Sequence, residues 1–145
     1  MPRDFAAPQG LSGDGFRLEP LGARHNEADH AAWMSSIEHI RSTPGFLGSW
    51  SPSSGMSLEE NLRDLTRHAD DFAERKGFTY SVLDGEDQVI GCVYIYPPRA
   101  NPEVTQVSSW VRADRAELDG PLRDAVPQWL SSAWPFQRID YRSGT

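Results

Sequence analysis

An almost wholly apolar run, QVIGCVYIY at residues 88–96, restricts the fold more than any other feature of the chain. Strict alternation along a strand would divide its side chains between two faces, with Ile90, Cys92 and Tyr94 on one and Val89, Val93 and Ile95 on the other. A strand that is apolar on both faces needs cover on both, and we expect helices to supply it. Gly91 predicts a β-bulge or a close backbone approach.

The neighbouring segments predict the other strands. FTYSVLD at residues 78–84 is rich in β-formers, and a turn at Gly85 joins it to the apolar run as a central hairpin. Further strands are expected near Phe16, over TQVSSWVR at residues 105–112, and over residues 137–142.

Three helices follow from apolar spacing and capping signals. The first spans residues 23–41, and the second begins at a capping box formed by Ser57 and Glu60 and ends before Gly77. The third carries Leu122 and Trp129 on one face, and its internal Pro127 predicts a kink or a later start. The order is strand, two helices, three strands, helix, strand, in one domain over residues 16–145 after a flexible segment at 1–15.

Charge and motifs exclude several functions. The 21 acidic and 14 basic residues give a net charge of −7, which disfavours nucleic acid and anionic membranes as partners. One cysteine, Cys92, and no apolar leader or membrane span indicate a cytoplasmic protein. The four histidines form no metal-binding motif, so no metal is expected. The sequence also contains no hydrolase, P-loop or dinucleotide-binding motif.

Three stretches carry a resemblance to a known family: FRLEPLGARH, VIGCVYIYP and SSWVRADRAELDGPLRDAV. Over residues 16–142 the chain resembles the GNAT acyl-CoA N-acyltransferases. The resemblance implies an α/β (α+β) fold with a central mixed, mostly antiparallel sheet and helices on both faces. It also implies transfer of acetyl from acetyl-CoA to a small-molecule or peptide amine, by direct attack in a ternary complex.

The family's diphosphate loop, Gln/Arg-x-x-Gly-x-Gly/Ala, matches residues 115–120 in part. Arg115 and Gly120 are retained, whereas Leu118 replaces the first glycine and Glu117 and Asp119 add negative charge. The resemblance assigns cofactor binding to Trp110, Val111, Arg112, Arg115, Leu118, Asp119 and Gly120. An ordinary turn, with Asp119 as a helix cap and Pro121 in the first turn, is the alternative.

The resemblance also implies a gap between the strand at Trp110 and the strand around Ile139, which would receive the pantetheine arm. Relatives continue with a further helix that supplies a tyrosine acid, and no residue up to Thr145 takes that role by alignment. A GNAT-like binding or scaffold protein without turnover is therefore a second hypothesis, and a fragment of a longer enzyme is a third.

Candidate catalytic residues are Glu38, His39 and Glu103 as bases and Tyr94 as a substrate-orienting group. Glu38 and His39 are equally typical of an exposed polar pair, and Tyr94 of a core position. The aromatic residues Trp33, Phe46 and Trp50 are expected to bind a cationic acceptor. An uncovered last strand, over residues 137–142, predicts a homodimer.

Overall fold

The computed structural model describes residues 7–13, 15–41, 56–97, 104–134 and 138–142. The strands are β1 Leu11–Gly13, β2 Phe16–Pro20, β3 Phe78–Asp84, β4 Val89–Tyr96, β5 Val104–Val111 and β6 Arg138–Arg142. The α-helices are α1 Asn26–Met34, α2 Ile37–Arg41, α3 Leu58–Ala73 and α4 Asp119–Ala133. Two 3₁₀ turns, Ala23–His25 and Ala113–Leu118, precede α1 and α4.

The strands form one sheet in the order β1-β2-β3-β4-β5-β6. All neighbouring pairs are antiparallel except β5 and β6, which are parallel and joined through α4. This confirms the expected α/β fold with a mixed, mostly antiparallel sheet. β6 lies at one end of the described strands, and its pairing with a second copy of the chain stays a prediction.

The sheet is covered on both faces, as the apolar run predicted. On one face α4 packs Leu122, Val126 and Leu130 against the sheet. The other face is covered by three helices, from which Trp33, Ile40 and Leu65 enter a second core. Burial of apolar surface on two faces is the main stabilising contribution of the fold.

A β-bulge changes which β4 side chains face which core. Val82 pairs with Gly91 and Leu83 pairs with Val89, so Ile90 is the extra residue in β4. Ile90 therefore joins Val93 and Ile95 in the α4 core, whereas Val89 joins Cys92 and Tyr94 in the other. The strict alternation predicted for residues 89 and 90 was wrong, because one inserted residue reverses the facing of the residues before it.

Two further expectations need correction at the N-terminal end. The helix expected over residues 23–41 is divided at Ser35 and Ser36, where the Ser35 hydroxyl donates to the Ala32 carbonyl oxygen at 2.7 Å. Serine hydroxyls compete for backbone groups and so weaken a continuous helix. Leu11–Gly13, expected in a flexible segment, pairs with β2 as an edge strand too short to show an alternating pattern.

The other helices follow their sequence signals. Ser57 and Glu60 form the expected capping box at the start of α3, with Glu60 N donating to Ser57 Oγ at 3.1 Å. α4 begins at Asp119 and continues through Pro127 to Ala133, so the later start considered for this helix is not observed. No helix in the described ranges has the length and apolar character needed to cross a membrane.

Gly91→Ala should destabilise the protein by about 3 kcal/mol, because a Cβ at residue 91 would overlap the Trp110 carbonyl oxygen on β5. Gly85→Ala is the matched control, since a Cβ there would meet no atom within 4 Å. Its free energy of unfolding should change by less than about 1 kcal/mol. Urea denaturation of both variants measures the difference, and equal effects would contradict the role assigned to Gly91.

Candidate functional site

A cleft of about 480 Å³ lies where the α1–α2 junction meets the segment after β5. Its lining residues are Met34, Ser35, Ser36, Ile37, Glu38, His39 and Ala113. The cleft thus brings two predicted catalytic residues, Glu38 and His39, next to the start of the predicted cofactor loop. Glu38 is exposed and His39 is half-buried.

Ser36 fixes this junction. Its side chain is buried, and its hydroxyl oxygen accepts a hydrogen bond from Ala113 N at 2.8 Å. The break between α1 and α2 therefore supplies the group that holds the loop. The sequence signal for it was the Ser35–Ser36 pair inside an apolar helical pattern.

The gap predicted between β5 and β6 stays a prediction, because the residues after Arg142 lie outside the described part of the chain. β5 and β6 pair from Val104 with Arg138 to Ser108 with Arg142, and β5 continues to Val111. Ser109 Oγ and Tyr141 OH, 2.7 Å apart, connect the two strands beside the last described pair.

The peptide N–H groups of β5 alternate between its two edges. Arg112 N donates to Ile90 O on β4 at 2.8 Å, so the preceding N–H, that of Val111, is directed to the β6 edge. The side chains of Trp110 and Val111 are buried, so only the backbone of this segment can meet a ligand.

The arginines of the loop contact carboxylates of the protein itself. Arg115 Nη1 donates to Asp84 Oδ2 at 2.7 Å, and its Nε donates to Glu117 Oε1 at 3.2 Å. Arg112 forms a bidentate pair with Asp114 at 2.9 and 2.6 Å. These carboxylates occupy the donors that a diphosphate would need.

The loop backbone is also engaged. Arg115 N donates to Arg112 O, and Asp119 N donates to Ala116 O, within the 3₁₀ turn. Positive φ angles occur at three described residues, Gly15, Arg75 and Asp87, all outside this loop. The turn therefore differs from an open, glycine-rich anion-binding loop.

Leu118 and Gly120 occupy different environments. Leu118 has a right-handed helical backbone and packs in the α4 core, so its side chain points away from the loop surface. Asp119 is buried as well. A Cβ at Gly120 would meet no atom within 4 Å, which leaves open space over the start of α4.

Asp84 is a site residue that the sequence pattern did not single out. It is 4% exposed, and its Oδ1 accepts from Glu86 N at 2.9 Å and from Gln88 N at 3.0 Å. Burial alone would raise the pKa of Asp84, but the Gln88 and Glu86 N–H groups and the Arg115 guanidinium outweigh burial and lower it. Its available signal was the Asp-Gly pair of a turn, which predicts local hydrogen bonds and not the partner on the loop.

A buried polar network lies beneath the sheet on the α1 side. Asn61 Nδ2 and Cys92 Sγ donate to the two carboxylate oxygens of Asp29, at 3.2 and 3.4 Å. The Trp33 indole donates to Asn61 Oδ1 at 2.9 Å. Trp33 is completely buried, so this arrangement gives no support to the acceptor-binding role predicted for it.

Tyr94 lies at the edge of the same network. Its hydroxyl accepts a hydrogen bond from Trp110 Nε1 at 3.0 Å, and burial raises its pKa well above the ordinary value. Tyr94 is therefore a neutral hydroxyl that joins β4 to β5. Phe46, Trp50 and Glu103 lie outside the described residues, and their predicted roles stay predictions.

The curled, mostly antiparallel sheet with a final parallel strand pair is the fold of the GNAT acetyltransferases. Comparison of the sequence with family models and with curated proteins gives no match. In the described part of the chain, no group of His, Cys, Asp and Glu is placed to hold a metal ion.

Solved structures with this fold include three acetyltransferases. Mycobacterium smegmatis RimJ, in complex with CoA-disulfide, has a TM-score of 0.71 at 12% identity, covering 92% of this chain and 67% of that chain. The Vibrio fischeri ribosomal-protein-S5-alanine acetyltransferase has 0.67 at 15%, covering 86% and 68%. The microcin C7 self-immunity acetyltransferase MccE, in complex with acetyl-CoA and AMP, has 0.64 at 14%, covering 88% and 71%. At such identities the similarity shows the fold alone.

Asp29→Asn should stabilise the protein, and the gain should grow as pH rises. Burial raises the pKa of Asp29 above its unfolded value of about 3.9, so the native protein loses stability as pH increases from about 4 toward the folded pKa. A neutral amide of the same shape avoids that loss. Melting temperatures at about pH 4 and about pH 7 measure it, with Asp70→Asn on the exposed side of α3 as the control. A gain that shrinks with rising pH would contradict the assignment.

Proposed function

We propose that the protein is an N-acetyltransferase that uses acetyl-CoA and acetylates a small-molecule or peptide amine. The observation that carries the proposal is the meeting of two features near Ala113. The Val111 N–H, which points away from β4, lies two residues before the cleft that contains Glu38 and His39. A donor and an acceptor substrate would meet there.

The described residues fit the two halves of acetyl-CoA unequally. An extended pantetheine arm can take hydrogen bonds from a strand backbone such as that of β5 near Val111, and Gly120 leaves room over the start of α4. The arginines, by contrast, already contact Asp84 and Asp114. We therefore assign Val111 and Gly120 to cofactor contact, and Arg115 to contact after it leaves Asp84.

Acetyl-CoA would supply an activated acetyl group. The residues of the chain then have two tasks, to orient the acetyl carbonyl and to remove a proton from the acceptor amine. The Val111 N–H is the group that would polarise the carbonyl. Glu38 or His39, at the cleft, would take the proton from an ammonium acceptor so that a neutral amine is present.

Direct transfer within a ternary complex is the form of the reaction that we propose. The amine nitrogen bonds to the acetyl carbon as the C–S bond breaks, and CoA leaves as a thiol that takes up the proton lost by the attacking nitrogen. Cys92 is the only cysteine, and it is buried, donates to Asp29 and has a pKa raised well above its ordinary value by burial and by that carboxylate. A buried neutral thiol is a poor nucleophile. Cys92 therefore has no role in an acyl-enzyme route.

A second candidate, a GNAT-like binding protein without turnover, is favoured by the engaged state of the loop. The pairing of Arg115 with Asp84 and Glu117 and the acidic residues around it oppose a diphosphate. Titration with acetyl-CoA separates the two candidates, because a protein without cofactor binding cannot be the enzyme. The cytoplasmic location stays a prediction.

Gly120→Gln should weaken acetyl-CoA binding by about tenfold or more, because a long side chain would fill the open space over α4. The fold should keep or gain stability, since Gln favours a helix more than Gly does. Calorimetric titration measures binding and thermal melting measures stability. Gly22→Gln, which replaces a half-buried glycine before α1, is the control and should bind as the wild type does. Equal binding by both variants would remove the start of α4 from the cofactor site.

The acceptor should be cationic at neutral pH. The net charge of −7 and the exposed Glu38 at the cleft attract an ammonium group. Amines are screened with acetyl-CoA, and turnover is measured by the release of the free CoA thiol. Cationic acceptors should turn over, and their rate should fall with added salt. Turnover restricted to neutral or anionic acceptors would contradict this prediction.

A further inference from the structure

We propose that Asp84 competes internally for Arg115, so that Arg115 adds to the affinity for a diphosphate only to the extent that it exchanges one anionic partner for another. The inference rests on the proposed function, since it concerns how this chain binds CoA. It adds Asp84, a positioning residue on the β3–β4 hairpin, to a site otherwise built from β5 and α4.

The burial of Asp84 and its short contact with Arg115 favour the ion pair in the free protein. Asp84 is 4% exposed, whereas the Arg115 side chain is 30% exposed, so the carboxylate is the fixed partner and the guanidinium reaches it from the loop. Their contact is 2.7 Å long, within the range of a strong charge-assisted hydrogen bond. A carboxylate so far removed from water attracts an arginine more strongly than an exposed one does.

Asp84 and Arg115 each have other partners that do not depend on their ion pair. Asp84 Oδ1 is held by the Glu86 and Gln88 N–H groups, independently of Arg115. Departure of the guanidinium therefore leaves a carboxylate whose Oδ1 still accepts two hydrogen bonds. Arg115 in turn keeps Glu117, an exposed partner, on the loop itself.

A diphosphate is the kind of anion that could displace Asp84. It carries more negative charge than one carboxylate and offers oxygens to both arms of a guanidinium. Until exchange occurs, Asp84 occupies Arg115 and lowers the apparent affinity for CoA. Pantetheine, which has no phosphate, should be indifferent to Asp84.

The first test is calorimetric titration of the full chain with CoA, and thermal shift with pantetheine. Asp84→Asn keeps the Oδ1 that holds the turn and removes the charge that holds Arg115. It should bind CoA about tenfold more tightly than the wild type, with pantetheine binding unchanged. Asp87→Asn is the matched control, because it removes one negative charge from the same turn at a position with φ of 64°, which Asn tolerates. It should change CoA affinity by less than about twofold.

The second test substitutes Arg115→Gln in both backgrounds. In the wild type, where Asp84 holds the guanidinium, the change should be less than about twofold, whereas in Asp84→Asn it should remove the whole gain. If Asp84→Asn does not fold, the wild-type arm still decides. A loss of about tenfold there would show that Asp84 does not withhold Arg115 from CoA and would overturn the inference.

The outcomes also separate this inference from the proposed function. Equal CoA binding by the wild type, Asp84→Asn and Asp87→Asn would overturn the competition and leave a cofactor-binding protein. A gain of equal size in Asp84→Asn and Asp87→Asn would reduce the effect to net charge and overturn it as well. No binding of CoA or pantetheine by any variant would overturn both.

Discussion

The approach of Gly91 to the Trp110 carbonyl oxygen sets the relation between β4 and β5, and the candidate site depends on that relation. The bulge at Ile90 lies next to this contact and lets both strands place apolar side chains in two cores. The close contact fixes β5 on its β4 edge, where Arg112 N donates to Ile90 O. The Val111 N–H is thereby directed away from β4.

The site combines stable packing with partly cancelled charge. Leu118, Trp110 and Val111 anchor the loop and strand through buried side chains, so the backbone there is held in place. The charged side chains of the loop contact one another and Asp84 instead of solvent alone. A site of this kind is ordered before it meets a ligand, but its cations must exchange partners to bind an anion.

Much of the fold could be predicted because its signals are local. The capping box at Ser57 and the doubly apolar strand need only neighbouring residues to be recognised. Gly91 predicted a bulge or a close backbone approach, and both occur, but it does not show that Ile90 is the extra residue, so the facing of residues 89 and 90 could not be predicted. The helix break at Ser36 was missed for a related reason. The Ser36 hydroxyl accepts a hydrogen bond from Ala113 N, which lies 77 residues away in sequence.

The candidate site was less predictable than the fold. The resemblance pointed to the segment from Trp110 to Gly120, but it did not show that Leu118 faces the core or that Arg115 contacts Asp84, 31 residues away in sequence. Such pairings depend on which turns the sheet brings together, and composition or spacing along the chain does not encode them directly. Glu38 and His39, chosen by residue type, do line the cleft with Ala113.

The hydrogen bond from Ala113 N to Ser36 Oγ has a thermodynamic consequence. It connects the loop at the start of the cofactor segment to the junction from which α2, with Glu38 and His39, extends into the cleft. If two ligands each alter the geometry of this junction, a single coupling free energy links their binding. Each ligand then changes the affinity for the other by the same factor. Donor and acceptor would then bind in a mutually dependent way, through a single serine hydroxyl placed between their sites.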